Sequence, residues 1–478
     1  MSDRWNHYIG GTFREPAGGA YLRERNPRTR GFSYEIARGS SEDVRLAVEA
    51  ARAAYPAWRA LRPIARGRVL SAMAAAIRSN LDDLAESESL ETGKTAVQAK
   101  AEIEVAAQYF EFYASVINLP GGEVIDLGDK YHSYTRREPL GVVGVILPWN
   151  GPLNQAARGI APALGAGNAV VSKPSEFTSV SLLKLARLAV EQCGLPAGLL
   201  NVVTGNGPET GEAIVSHPEI RKVAFTGSLR AGREIGRIAA ERVIPVTLEL
   251  GGKSPNVVFA DADLDAAALG ALRAFISNAG QICSSGTRCL VEASIHDVFV
   301  DKLATALDKV SIGRQEPGSI GPMSTEAQFD KVQSYYGIAR GEGLVAVRGG
   351  ALPDAPELKE GWFVLPTIYA NVPNSSRLAR EEIFGPILSV IPFSDEADAI
   401  RIANDTEYGL VAGLWTRDLA RAHRVAGQIE AGQVFVNEYF AGGVETPFGG
   451  YKQSGIGREK GIEALHHYSQ VKSVTIAL

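Results

Sequence analysis

Three residues of this sequence carry the side-chain chemistry of acyl transfer. Cys283 stands in Gly280-Gln281-Ile282-Cys283-Ser284, between a helical pattern ending near Ile276 and a strand pattern over Arg288 to Glu292. A loop at that point can expose the sulfur, and a thiolate is a good nucleophile, although most single cysteines are small buried hydrophobes. Glu249 is a lone carboxylate in Leu248-Glu249-Leu250-Gly251-Gly252. A glutamate inside an apolar run either caps or pairs structurally, or it is a base whose pKa burial has raised. Asn150 follows Trp149 just past the apolar run Val142 to Leu147. Its amide can stabilise an oxyanion without titrating, although a turn residue before Gly151-Pro152 is the plainer reading.

The remaining cysteines, Cys193 and Cys289, read as small buried hydrophobes. Three cysteines without a CxxC spacing imply neither a disulfide framework nor a thiolate zinc site. The seven histidines form no HExxH, and no metal is expected.

A second group of residues suits a nucleotide. In Phe225-Thr226-Gly227-Ser228 a strand gives way to a helix, so Gly227 allows close backbone approach and Ser228 can cap the helix start. That is the chemistry of an anion site, though many capped turns bind nothing. Gly205-Asn206-Gly207 is a weaker signal, because its glycines do not complete GxGxxG. Lys173-Pro174-Ser175-Glu176 follows the strand pattern Ala169 to Val171. A carboxylate at that edge suits ribose hydroxyls and repels a 2′-phosphate, favouring NAD over NADP; a solvated charge pair is the alternative.

These positions require elements to hold them. The first third reads as helical, with Ser41 as N-cap before Val44, Ala47, Val48 and Ala51, then Val69 to Ile77, Leu81 to Leu90 and Val97 to Val116. From Gly141 short apolar runs alternate with helices: Val142 to Leu147, Ala169 to Val171, Leu199 to Val203, Lys222 to Phe225 and Val246 to Leu248. This alternation predicts a parallel sheet covered on both faces, with ligands at the carboxyl ends of its strands. A second α/β unit begins after Gly251-Gly252, with a helix over Leu264 to Ile276. The strand-like stretches Asp129 to Arg137 and Gln470 to Ile476 lack sequential partners and could pair with each other.

At 478 residues the chain has room for two large domains, and 45% hydrophobic with 22% charged residues is an ordinary globular balance. A net charge of -5 and the absence of a dense basic run exclude a polyphosphate-binding field, so nucleic acid is not an expected partner. The start, Met1-Ser2-Asp3-Arg4-Trp5, has no apolar signal core, and no run is long enough to span a bilayer. A cytoplasmic protein is the expectation.

Taken together, the segments resemble the aldehyde dehydrogenase superfamily in order and approximate spacing. The segments are Pro148-Trp149-Asn150, Lys173-Pro174-Ser175-Glu176, Phe225-Thr226-Gly227-Ser228, Glu249-Leu250-Gly251-Gly252-Lys253-Ser254-Pro255, Gly280-Gln281-Ile282-Cys283, Glu381-Glu382-Ile383-Phe384-Gly385-Pro386 and Pro447-Phe448-Gly449-Gly450-Tyr451-Lys452. The resemblance implies an aldehyde dehydrogenase-like fold, with two α/β domains on parallel sheets, nucleotide-binding and catalytic, plus a small bridging β-strand pair. It assigns residues 1–120 and 140–251 to the NAD-binding domain, 252–453 to the catalytic domain, and 121–139 with 465–478 to bridging or oligomerisation strands. It implies NAD-dependent oxidation of an aldehyde to an acid, and a homodimer or homotetramer.

By the same resemblance Cys283 is the nucleophile and Glu249 the general base. Asn150 and the Cys283 backbone N–H form the oxyanion hole, and Glu459 lies on a proton path. Trp149, Lys173, Glu176, Gly227, Ser228, Leu250, Glu382 and Phe384 contact the cofactor. Gly151, Gln155, Arg158, Ser277, Tyr439, Phe440 and Gly442 surround the aldehyde tunnel. One departure stands out: where many members carry a lysine nine residues after the asparagine, this chain has Gly159, beside Arg158. The competing enzyme reading is a coenzyme A-acylating dehydrogenase, in which a thiol resolves the thioester; such relatives commonly lack the base, so Glu249 counts against it. A catalytically silent protein on the same fold would not need Cys283, Glu249 and Asn150 together.

Overall fold

The computed structural model describes residues 4–119 and 121–478. The signal-core reading over Met1-Ser2-Asp3 and the expected boundary residue Pro120 therefore lie outside the described residues. Two large sheets organise the rest. The first has eight strands, in the order Gly455–Ile456, Val246–Glu249, Ile220–Thr226, Val142–Ile146, Ala169–Lys173, Leu200–Val202, His7–Ile9 and Thr12–Arg14. Its five middle strands run parallel, and antiparallel strands close both edges. Val142 to Ile146 are buried throughout, as a parallel strand covered by helices on both faces must be.

The second sheet has seven strands, ordered Ala346–Arg348, Thr367–Tyr369, Ile387–Phe393, Arg288–Glu292, Pro255–Val258, Val411–Trp415 and Gln433–Val436. All but the first are parallel to their neighbours. The expected pairing of the two orphan strands is present: Tyr131–Pro139 and Ser469–Ala477 run antiparallel over nine register pairs, with Val124–Ile125 beside them. The sequence reading of Ser41 as N-cap is corrected by one residue. Ser40 and Asp43 form the capping box of helix Ser41–Ala60, because Asp43 is the acidic residue three positions after Ser40.

The long apolar helices of the first third pack beneath the eight-stranded sheet. Trp58, Tyr113 and Phe110 are fully buried there, and the Trp58 indole donates to Leu164 O at 3.0 Å. No helix among the described residues is long and apolar enough to cross a membrane. Nor does any group of three or more His, Cys, Asp or Glu among them have the arrangement of a metal site.

Candidate active site

The nucleophile loop is built by an abrupt helix ending. Asp263 caps helix Leu264–Ile276, its carboxylate accepting from Ala266 N at 3.1 Å. After Ser277 the chain holds Asn278, Ala279 and Gly280 in the left-handed region, with φ of 49°, 54° and 72°. Such backbone is unfavourable for alanine and persists only when its surroundings enforce it. They do so here: the Asn278 amide donates to Asn150 O at 3.0 Å and to Gln281 O at 3.3 Å. At Gly280 a Cβ would fall 2.3 Å from the carbonyl carbon of Gly385, so only glycine fits. The turn delivers Cys283 to a pocket of about 160 Å³, which Asn150 and Glu249 also line.

Asn150 lies in the loop that follows strand Val142–Ile146, after Leu147, Pro148 and Trp149, and its amide nitrogen donates to Gln281 O at 2.9 Å. One N–H therefore anchors the cysteine loop, and the second remains available to a bound oxygen. Glu249 ends strand Val246–Glu249 and is 2% exposed. Neither carboxylate oxygen has a hydrogen-bond partner among the described residues. Burial holds its pKa well above the ordinary carboxylate value; nearby Glu459 adds to this, and Arg158 and Arg458 oppose it. Burial also raises the Cys283 thiol, to about 11, against the opposing field of Arg158. The resting site thus holds a protonated thiol beside an acceptor of raised basicity.

Arg158 departs from the expected tunnel position. It is buried, its guanidinium forms an ion pair with Glu459, and it donates to Gln155 Oε1 at 2.6 Å and Thr226 Oγ1 at 3.1 Å. A guanidinium neutralised in this way is part of the wall behind the site. Tyr439 also stands behind the site. It is 2% exposed, its hydroxyl donates to Ser284 O at 3.0 Å, and Gly286 and Gly413 lie against its ring. It supports the cysteine loop from the core side. Phe440 packs on Tyr439 with ring centroids 4.9 Å apart and, with Cys283, lies against the Phe435–Phe448 cluster. Gly151 and Gln155 adjoin Asn150, a Gly151 Cβ falling 3.3 Å from the Gln155 side chain. The Ser277 hydroxyl donates to Arg273 O at 2.8 Å, and Gly442 lies in an exposed loop with φ of 94°.

The residues proposed for the nucleotide divide between two neighbouring regions. Gly227, Ser228, Leu250, Trp149, Glu382 and Phe384 line the same pocket as Cys283. Ser228 caps helix Leu229–Glu241 by accepting from Ala231 N at 3.3 Å, which aims the helix start toward the pocket. Glu382 accepts from Gly252 N at 3.0 Å, and a Cβ on Gly251 would fall 2.3 Å from its carboxylate. Phe384, at φ 60°, meets the Trp149 ring edge-on at 5.5 Å. Lys173 and Glu176 lie at the end of strand Ala169–Lys173, with 3.6 Å between ammonium and carboxylate. Lys173 is buried and also donates to Pro174 O at 2.8 Å. A helix start, a buried cation beside a carboxylate and an apolar clamp fit a dinucleotide's phosphates, ribose and ring.

Sequence reasoning missed Thr226, Gln328 and Lys331 as pocket residues. Gln328 holds the clamp loop by donating to Ile383 O and Phe384 O at 2.9 and 2.8 Å. It and Lys331 lie on helix Glu326–Gly341, whose sequence carries no motif, so only the packing reveals them.

Comparison with known proteins agrees with this geometry. The model of the aldehyde dehydrogenase family matches residues 13–474. A betaine aldehyde dehydrogenase of Mesorhizobium japonicum is 44% identical over 475 residues, covering 98% of this chain and 97% of that protein. Among solved structures, a betaine aldehyde dehydrogenase of Staphylococcus aureus in complex with NAD+ is 37% identical with a TM-score of 0.96, covering 99% of this chain and 95% of that one. An NAD+ complex of an aldehyde dehydrogenase from Bacillus cereus is 38% identical with the same TM-score, covering 99% and 97%. The chain belongs to the aldehyde dehydrogenase family and is an oxidoreductase acting on aldehydes.

Proposed function

We propose that this enzyme oxidises an aldehyde to a carboxylate with NAD, through a thioester on Cys283 that water resolves with the help of Glu249. The observation that carries the reading is the convergence of Cys283, Glu249 and Asn150 on one pocket whose other wall is the nucleotide region. Glu249 takes the thiol proton, and the sulfur attacks the aldehyde carbon. The free Asn150 N–H and the Cys283 backbone N–H hold the oxyanion as it forms. NAD, when bound, accepts the hydride. The acyl group then remains on the sulfur. Glu249 removes a proton from water, hydroxide adds to the thioester carbon, and the carbon–sulfur bond breaks, the acid's own proton passing to the leaving thiolate to give the carboxylate and the free thiol. A coenzyme A thiol is disfavoured as the acceptor, because a buried carboxylate without partners suits water activation.

NADH formation over a panel of aliphatic, aromatic, acidic and quaternary-ammonium aldehydes tests the reading. Turnover of at least one with release of free acid supports it, and no NADH with any of them overturns it.

Two expected results follow from the site. Asn150→Ala lowers kcat by about a hundredfold or more, the usual effect of losing one oxyanion donor, while NAD affinity measured by calorimetry changes little. Near-normal turnover in single-turnover hydride transfer would move the oxyanion site elsewhere. Glu176 binds the ribose hydroxyls and repels a 2′-phosphate, so NAD is preferred to NADP. Glu176→Ala shifts the NAD-to-NADP ratio of kcat/KM toward NADP by about tenfold. Equal use of both cofactors by the unaltered enzyme would remove that role.

We also propose that the paired strands Tyr131–Pro139 and Ser469–Ala477 mediate assembly into a dimer or tetramer. Val471 and Ile476 are exposed along them and Leu478 just beyond, which a partner subunit would cover. The two sheets correspond to the nucleotide and catalytic domains, with Gly455–Ile456 returning from the carboxyl end to the first.

A further inference from the structure

Oxidation of an aldehyde with water and NAD+ gives a carboxylate, NADH and two protons. Both protons pass through Glu249 in the proposed mechanism, yet Glu249 is 2% exposed and has no hydrogen-bond partner among the described residues. They need a way out of the protein. Beneath the site, on the face of strand Val246–Glu249 that carries Glu249, lies a set of polar groups the mechanism does not use.

Lys222, on strand Ile220–Thr226, is 1% exposed and donates to Thr247 Oγ1 at 2.6 Å, two residues before Glu249. Its ammonium lies 5.1 Å from the ring centre of Tyr468. The Tyr468 hydroxyl is buried without a partner among the described residues and lies beside Gly159, where a Cβ would fall 3.5 Å from it and 3.0 Å from Val145. The Gly449 to Glu459 segment ties this set to the site. A Cβ on Gly449 would be 2.8 Å from Glu249 Oε1, and one on Gly457 would be 3.3 Å from Thr247 Oγ1. Glu459 follows two residues later, paired with Arg158. Beyond Tyr468, His467 is about one-third exposed and 3.8 Å from Glu463.

We propose that Lys222 is a positioning residue that relays protons from Glu249 and Glu459 to the surface at His467, along the face shared by strands Ile220–Thr226 and Val246–Glu249. The proposal rests on the hydrolytic reading above. Glu249 passes the proton it accepts to Glu459, the neutral amine of Lys222 receives it as an ammonium, and His467 releases it to solvent, with ordered water bridging where groups do not touch. Burial lowers Lys222 to about 8, with Glu459 opposing, so a useful fraction is neutral near the working pH. His467 is likewise lowered, by burial first and then by Lys222, while Glu463 opposes. Glu459 acts on Lys222, and Glu463, Arg458 and His466 act with Lys222 on His467.

The test compares Lys222→Arg and His467→Gln with the unaltered enzyme, following NADH and released protons together by stopped flow with a pH indicator at low buffer concentration. Arginine keeps the charge and can reach Thr247 but does not give up its proton. The proposal expects the first-turnover NADH burst to stay within about twofold in both variants. Steady turnover should fall about tenfold, proton release should lag behind NADH, and added imidazole should restore both. Wild-type turnover of Lys222→Arg at every buffer concentration, with its burst intact, overturns the relay. If Lys222→Arg loses its burst through misfolding, His467→Gln decides: the lag and imidazole rescue support the relay, and their absence overturns it. Absence of an acyl adduct on Cys283 in Glu249→Gln at any pH would instead overturn the thioester reading itself.

Discussion

Cys283→Ala reduces aldehyde oxidation to below about one ten-thousandth of the unaltered rate, as removal of a covalent nucleophile does in other acyl-transfer enzymes. NAD affinity, measured by calorimetry, stays within about twofold, because Lys173, Glu176 and the helix start at Ser228 are untouched. The other two thiols provide the control. Cys193 and Cys289 are buried away from the pocket, and burial raises them to about 11 and about 12. Burial keeps both thiols protonated, Cys193 donating to Leu188 O at 3.4 Å, so Cys193→Ala and Cys289→Ala retain activity. A Cys283→Ala enzyme that oxidised aldehyde at the unaltered rate would remove the covalent route.

Glu249→Gln has the second largest expected effect, a loss of about a thousandfold in steady turnover, within the range for removing a general base from a two-step reaction. The size follows from the local field. Burial and Glu459 raise the carboxyl pKa, which makes the ionised form a stronger base. The amide of glutamine cannot accept a proton at all. The sign with pH follows too. In the unaltered enzyme activity falls as pH drops through the raised pKa of Glu249, because the base becomes protonated. In Glu249→Gln that dependence disappears, and turnover rises with pH toward the Cys283 value of about 11 as the thiol ionises unaided. An acid limb unchanged by the substitution would assign it to another group.

Much of this site was legible in the chain because its residues contradict their surroundings. A glutamate inside an apolar strand and a lone cysteine between helix and strand each needed a reason, and the structure places both on one pocket. Strand boundaries were legible for the same physical cause: β-branched runs such as Val142 to Ile146 are buried on both faces. What escaped was set by tertiary packing. Arg158 follows Gln155 on one helix and read as a tunnel residue, yet its direction is fixed by Glu459, which lies far along the chain. Tyr439 read as lining, but Gly286 and Gly413 open a slot in the core that takes its ring. Gln328 and Lys331 lie on a helix with no distinguishing pattern, and only the fold brings them to the clamp. Lys222 sat inside a strand pattern, where nothing local announced that a buried ammonium would meet Thr247 and Tyr468.

The thioester itself is the most direct point of attack. Mixing Glu249→Gln with NAD and a turned-over aldehyde, then quenching within the first turnovers, allows NADH to be counted and the Cys283 peptide to be weighed by mass spectrometry. The account predicts close to one NADH per active site, followed by slow turnover, with the acyl mass on Cys283 and on neither Cys193 nor Cys289. If Glu249 also deprotonates the thiol, the burst is smaller at neutral pH and recovers as pH rises toward the thiol's own ionisation. Steady turnover at the unaltered rate, with no acyl mass on Cys283 at any pH, would contradict it.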